Sequence, residues 1–86
     1  MYSLEIKGSC SESIRKKCRK NNELRKAIDR KIAWLLENPY AAKPLRTPLQ
    51  GKFRVHILDC FVLIYEIDEK NKTICLLKFA HHDEAY

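Results

Sequence analysis

Alternation of apolar and polar residues marks the strands of this chain. Residues 2–7 alternate with apolar side chains on one side, which predicts a first, half-buried strand. Residues 52–58 alternate again, and their polar side carries cations and a histidine. Residues 60–67 form a nearly continuous apolar run, typical of a central strand, and residues 73–79 form another. Asn71, in the turn between these two runs, suits a left-handed position.

Between the first two strands the apolar period lengthens to that of helices. A capping-box pattern, Ser9 with Glu12, predicts a short basic helix that runs to about Lys20. A second helix follows, with apolar residues at helical spacing through residues 24–36. It must end ahead of Pro39, because proline disfavours helical geometry in the residue before it and donates no backbone hydrogen bond.

The element order β-α-α-β-β-β places the chain in the α+β class. We expect a two-helix hairpin packed on one face of a four-stranded, mainly antiparallel sheet, with the opposite face open. Eighty-six residues leave room for a single domain, residues 1–86. No apolar run approaches the roughly 20 residues of a membrane helix, and the N-terminus does not resemble a signal peptide. We therefore expect a cytoplasmic protein that does not bind membranes.

The charge of the chain indicates an anionic partner, such as nucleic acid or an acidic peptide. The net charge is +6 and the sequence pI is about 9.3. Between Glu37 and Asp59 no residue is acidic, whereas the basic ones are Lys43, Arg46, Lys52, Arg54 and His56. Beside an open sheet, such a cluster attracts phosphodiesters in a salt-sensitive way. A merely solvated basic surface has the same composition, so charge alone leaves both interpretations open.

The four cysteines, Cys10, Cys18, Cys60 and Cys75, allow two disulfides or a metal site on paper. None stands in a C-x-x-C pair, and no histidine lies at zinc-finger spacing, so we expect buried free thiols and no bound metal. Cys60 is also a candidate nucleophile beside His56. Because Cys60 precedes an apolar strand, packing is the favoured interpretation.

Histidines sharpen the hypothesis of RNA contact. His56 lies on the polar side of its strand, and His81 and His82 follow the last strand, so imidazoles from distant positions can converge on the open face. Two imidazoles can divide the base and acid roles near neutral pH. RNA cleavage by its own 2′-hydroxyl needs that division and fixed cations that stabilise the phosphorane, without a metal or a cofactor. Histidines with no catalytic part fit the same spacing.

The residues that carry a family resemblance are Pro44-Leu45, Leu49-Gln50-Gly51, Arg54-Val55-His56, the run 61–67 and the ending His81-His82-Asp83-Glu84-Ala85-Tyr86. Together with the element order, they resemble the RelE/ParE superfamily of toxins from type II toxin–antitoxin systems, nearest its histidine-using, YafQ-like branch. The resemblance covers nearly the whole chain. It implies a microbial-RNase-like fold and a ribosome-dependent mRNA endonuclease without a cofactor, whose partners are mRNA, the ribosome and a cognate antitoxin that holds it inactive.

By position, the resemblance assigns the acid–base work to His56 and His82 and makes Tyr86 the final aromatic of the motif. Arg54 takes the place of a strand cation that stabilises the transition state. Further candidates for RNA contact are Lys43, Arg46, Lys52 and His81. Asp59 is a possible acidic residue of the site, although its spacing differs by one. The better-known RelE pattern would instead give more weight to Lys52, Arg54 and Tyr86.

Two other functions stay open at the level of sequence. A ParE-like protein inhibits DNA gyrase by contact and needs no catalytic residues, and the pairing of Arg54 with His56 on one polar face argues mildly against it. A stand-alone basic RNA-binding domain would bind in a salt-dependent way without cutting. The basic first helix suits ribosomal RNA as well as a simply solvated surface.

Overall fold

The computed structural model describes residues 1–44 and 51–84. Within them the elements are β1 Ser3–Ile6, α1 Gly8–Cys18, α2 Asn22–Glu37, β2 Lys43–Pro44, β3 Lys52–Ile57, β4 Phe61–Asp68, β5 Thr73–His81 and a 3-10 turn at His82–Glu84. The strands form one sheet in the order β1-β5-β4-β3-β2, in which only the β1–β5 pair is parallel. The predicted α+β fold is confirmed, and the two-residue β2 adds a short edge strand to the four predicted ones.

The start of α1 differs from the prediction. The capping box of Ser9 and Glu12 does not form, because the helix begins already at Gly8 and has no side-chain cap. The Glu12 carboxylate instead accepts a hydrogen bond from the Arg15 guanidinium one turn further along, at 2.6 Å. The helix also ends slightly earlier than predicted, at Cys18.

Helix α2 has a cap at each end. The Asn21 side chain accepts a hydrogen bond from the backbone N–H of Leu24 at 3.0 Å, which satisfies one amide of the first turn. The helix ends at Glu37, as predicted from Pro39. Neither helix in the described residues is long and apolar enough to cross a membrane.

Both helices pack on the same face of the sheet. The main core contains side chains from the helices and from three strands: Cys10, Ile14, Cys18, Leu24, Ile28, Leu35, Val55, Ile57, Leu63, Tyr65, Ile74, Leu76 and Phe79. A small cluster on the opposite face, Val62, Ile64 and Ala80, includes no helix residue among those described. The helices therefore do not cover this second face, which corresponds to the open face that was predicted.

The edge position of β1 changes the predicted burial of its apolar side. Leu4 and Ile6 are 39% and 38% exposed, because β1 has a strand neighbour on one side only. Tyr2, just before the strand, packs against the core. The predicted strand is confirmed, but its half-buried character holds only for Tyr2.

Two turns also correct the prediction. Strand β3 ends at Ile57 because Leu58 adopts a left-handed conformation, with φ of 53°. Between β4 and β5 the left-handed residue is Lys72, with φ of 50°, and not Asn71. Asn71 instead donates hydrogen bonds from its backbone and its side chain to the Asp68 carboxylate.

All four cysteines are free thiols, as predicted, but they are not all buried. Cys10 and Cys18 are buried, Cys75 is half-buried, and Cys60 is exposed in the turn before β4. The prediction that Cys60 packs is therefore wrong, because β4 starts only at Phe61. Burial raises the pKa of the Cys10 thiol to about 11, so it is protonated at neutral pH.

Candidate active site on the open face of the sheet

Strand β3 separates the residues of the core from those of the open face. Its apolar residues, Phe53, Val55 and Ile57, join the core under the helices. Because side chains alternate along a strand, Lys52, Arg54 and His56 project from the opposite face. Lys52 stands opposite Glu66 of β4, at the far end of the strand from His56.

Two histidines meet at one end of this face. His56 pairs across the sheet with Val62, and Val62 pairs with Ala80 of β5, so these three residues form one row. His82 follows β5 and its backbone N–H donates to the Cys60 carbonyl at 2.6 Å. The ring centroids of His56 and His82 are 6.0 Å apart, with 23° between the ring planes. Both imidazoles are exposed to solvent.

A second row brings cations from two strands onto the same face. Arg54 pairs with Ile64, and Ile64 pairs with Lys78 of β5. The register shifts between this pair and the next, leaving Leu77 as an extra residue in β5. Sequence reasoning did not include Lys78 in the site. The break in alternation at Leu76-Leu77 was the signal that could have found it.

His81 lies on the other side of the sheet from His56. Its ring is 5.7 Å from that of Phe61, edge to face, and Phe61 packs against the main core. The structure therefore brings His82, and not His81, next to His56.

Asp83 is an acidic residue that the sequence analysis did not include in the site, and its carboxylate lies near the rings of both His81 and His82. The Asp83 carboxylate oxygens are 3.7 Å from Nδ1 of His81 and 3.8 Å from Nδ1 of His82. The Asp83 backbone N–H also donates to Nδ1 of His81 at 3.3 Å. The adjacency of the three residues in the sequence was the available signal.

The remaining candidates stand apart from this pair or outside the described residues. The backbone of Lys43 pairs with Arg54 at the sheet edge. Asp59 is exposed in the turn after β3 and forms no hydrogen bond or ion pair with other described residues. Arg46 and Tyr86 lie outside the described residues. Among residues 1–44 and 51–84, no group of three histidine, cysteine or acidic side chains could hold a metal ion.

Comparison with known proteins identifies the family of the chain. The profile of the ParE toxins of type II toxin–antitoxin systems, parDE, matches residues 11–86. The chain belongs to this family. A putative toxin RelE4 from Methanocaldococcus jannaschii is 40% identical over 86 residues, which cover 100% of this chain and 92% of that protein. Membership of the RelE/ParE superfamily is thereby confirmed, and the YafQ-like branch stays a prediction.

Solved structures of the superfamily share the fold. The toxin–antitoxin complex RelBE2 from Mycobacterium tuberculosis contains a chain with a TM-score of 0.78 and 23% identity, covering 94% of this chain and 98% of that one. The intact RelBE toxin–antitoxin complex of E. coli contains one with a TM-score of 0.79 and 14% identity, covering 93% and 95%. At these identities the likeness concerns the fold.

Proposed function

We propose that this toxin is a metal-independent endoribonuclease that cleaves mRNA on the ribosome, as YafQ-like toxins do. The observation that carries the proposal is the 6.0 Å separation of the His56 and His82 rings on the open face. Two exposed imidazoles at this spacing are available to one phosphodiester, and Arg54 follows in the next row of the same face. The reaction takes place in the cytoplasm, where ribosomes translate.

The two imidazoles divide the proton transfers of the reaction. One accepts the proton of the 2′-hydroxyl while its oxygen bonds to phosphorus, and the other donates a proton to the 5′ oxygen as the P–O5′ bond breaks. The products are a 2′,3′-cyclic phosphate and a 5′-hydroxyl. Arg54 and Lys78 stabilise the negative charge of the phosphorane between them. The Asp83 carboxylate, 3.8 Å from Nδ1 of His82, is placed to orient that ring for proton transfer.

The other candidate residues position the RNA. Lys52 extends the cationic side of β3 away from the histidines, and Lys43 belongs to the neighbouring edge strand. We assign an RNA contact also to Arg46, and base stacking or phosphate orientation to Tyr86. His81 has no RNA contact in this proposal, because its ring lies against Phe61 on the opposite side of the sheet. Asp59 stays a possible member of the site.

A cognate antitoxin is the partner that controls the toxin. The support comes from the family, whose description is that of a type II toxin–antitoxin system, and from solved relatives that are toxin–antitoxin complexes. Co-expression with the antitoxin should therefore restore growth of cells that express the toxin.

Codon-resolved cleavage of mRNA on translating ribosomes tests the nuclease. His56→Ala and His82→Ala should each slow cleavage by at least about 100-fold, the usual size of general acid–base catalysis. Lys70→Ala, in the turn at the opposite end of β4, is the matched control and should cleave at the wild-type rate. Wild-type cleavage by both histidine variants would contradict the proposal.

Inhibition of DNA gyrase is the second candidate, because the matching profile is that of the ParE toxins. It requires a contact surface and no catalytic histidines. A supercoiling assay with purified gyrase separates the two functions: inhibited supercoiling with intact mRNA on the ribosome would favour the ParE-like activity.

A further inference from the structure

A shallow groove lies on the helix side of the molecule, between α2 and the turn after β3. Its volume is about 280 Å³, and its lining residues are Ala27, Arg30, Lys31, Trp34 and Leu58. Small-molecule pockets usually measure about 300–1,000 Å³ and enclose most of the ligand. This open groove is better suited to one or two anchoring side chains of a protein partner.

The backbone at Leu58 is strained without any benefit to the core. Its φ of 53° lies in the left-handed region, which a bulky residue enters only at a cost in energy. The side chain is 42% exposed and does not belong to either buried cluster. Glycine or asparagine would make the same turn more easily. The leucine instead places an apolar side chain in the groove.

Trp34 adds a second exposed apolar surface opposite Leu58. Trp34 is 41% exposed, whereas the next residue of α2, Leu35, is buried in the core. The Lys31 Nζ atom lies 5.0 Å from the centroid of the Trp34 ring, which holds the ammonium group over the indole, and Lys31 also lines the groove. Arg30 lines the groove as well, and its Nε donates to the Lys26 carbonyl at 3.4 Å. None of the described lining residues is acidic, so the groove is complementary to carboxylates.

We propose that this groove binds an acidic, amphipathic segment of the antitoxin. The segment seats an apolar side chain between Trp34 and Leu58, and its carboxylates pair with Arg30 and Lys31. This inference rests on the antitoxin partner proposed above and is independent of mRNA cleavage. Because His56 lies on the open face of the sheet, an antitoxin held in the groove has a second anchor that does not compete with RNA for the histidines.

The fluorescence of Trp34 reports directly on the groove, because the chain contains a single tryptophan. The probe is the purified antitoxin, the protein that restores growth in co-expression. Its binding should shift the Trp34 emission to shorter wavelength and reduce quenching by acrylamide. Coelution in size-exclusion chromatography with unchanged Trp34 emission and quenching would overturn the proposal.

The Leu58→Gly variant distinguishes two roles of Leu58, an anchor for the antitoxin and a residue that stabilises the fold. The variant relieves the left-handed strain, so its urea midpoint should rise, while its Kd for the antitoxin should increase at least about tenfold. A structural role would give the opposite pattern, a lower midpoint with an unchanged Kd, and would overturn the proposal. Without antitoxin, this variant should cleave mRNA at the wild-type rate. If the wild-type protein itself does not cleave mRNA, that result contradicts the proposed nuclease and leaves the antitoxin groove untouched.

Charge reversal tests the cationic rim. Arg30→Glu should weaken antitoxin binding about tenfold or more and make the Kd less sensitive to salt. Lys70→Glu makes the same kind of change outside the groove and should leave the Kd near the wild-type value. Equal effects of the two substitutions would show that only the net charge matters and would overturn the assignment of the groove.

Discussion

Lys78 lies opposite Ile64, on the face that carries Arg54, because the register of β5 shifts at Leu77. An uninterrupted strand would place Lys78 on the same side as Ile74 and Leu76, under the helices. The extra residue returns the lysine to the open face and avoids burying a charge. Two cations from separate strands consequently flank one apolar residue, one row away from the histidine pair.

Substitution of Lys78 tests whether this lysine stabilises the negative charge of the phosphorane. Lys78→Ala should lower the rate of mRNA cleavage by about tenfold to 100-fold, since a preorganised positive charge is lost, and Lys78→Arg should retain most of the activity. Single-turnover cleavage on ribosomes measures the effect. Equal rates for Lys78→Ala and the control Lys70→Ala would remove Lys78 from the site.

The two tail histidines should differ in their importance for cleavage. His82→Ala removes the ring beside His56, whereas His81→Ala removes a ring that contacts Phe61 on the opposite side of the sheet. In the same cleavage assay, His81→Ala should retain at least about ten times the rate of His82→Ala. The reverse order would mean that His81 reaches the open face when RNA is bound.

Tyr65 should be a strong determinant of stability, because its buried hydroxyl donates to the Pro39 carbonyl at 2.8 Å. Tyr65→Phe leaves that carbonyl without its donor and should lower the free energy of unfolding by about 1–3 kcal/mol. Urea denaturation measures this loss. Tyr40→Phe, at an exposed tyrosine, should change the free energy by less than about 0.5 kcal/mol. Equal losses in the two variants would contradict the role of the buried bond.

The same tyrosine makes stability depend on alkaline pH. Burial raises the pKa of Tyr65 to about 12, whereas an unfolded tyrosine titrates near about 10. The folded state therefore binds the proton more tightly, and this contribution is complete below about pH 10 and is lost as the pH rises towards 12. Urea midpoints across this range should fall more steeply in wild type than in Tyr65→Phe. Parallel curves would contradict the assignment.

Strong periodicity made most of the fold predictable from the sequence. The strand β3 and the helix α2 have a clear apolar period, the strands β4 and β5 are nearly continuous apolar runs, and these four elements were predicted correctly to within one or two residues at their ends. The capping box failed because the helix begins one residue earlier, at Gly8, so that Ser9 is not the capping residue. Short polar patterns have several possible partners, and the structure decides among them.

Only the part of the candidate site that lies within strand β3 was predictable from the alternation of side chains. The period of β3 predicts that Arg54 and His56 leave the sheet on the side opposite Val55. Alternation does not tell which of His81 and His82 meets His56, because the answer depends on how β5 pairs with β4 and on the extra residue at Leu77.

By itself, the sequence determined the element order, the helix-covered and open faces of the sheet and the cationic character of the open one, since these follow from local periods and composition. Only the tertiary structure decided the neighbours of His56, the position of Lys78 and the exposure of Trp34 beside the strained Leu58. The reason is physical: strand register and the packing of turns against helices depend on contacts between residues far apart in the chain, which local patterns do not encode.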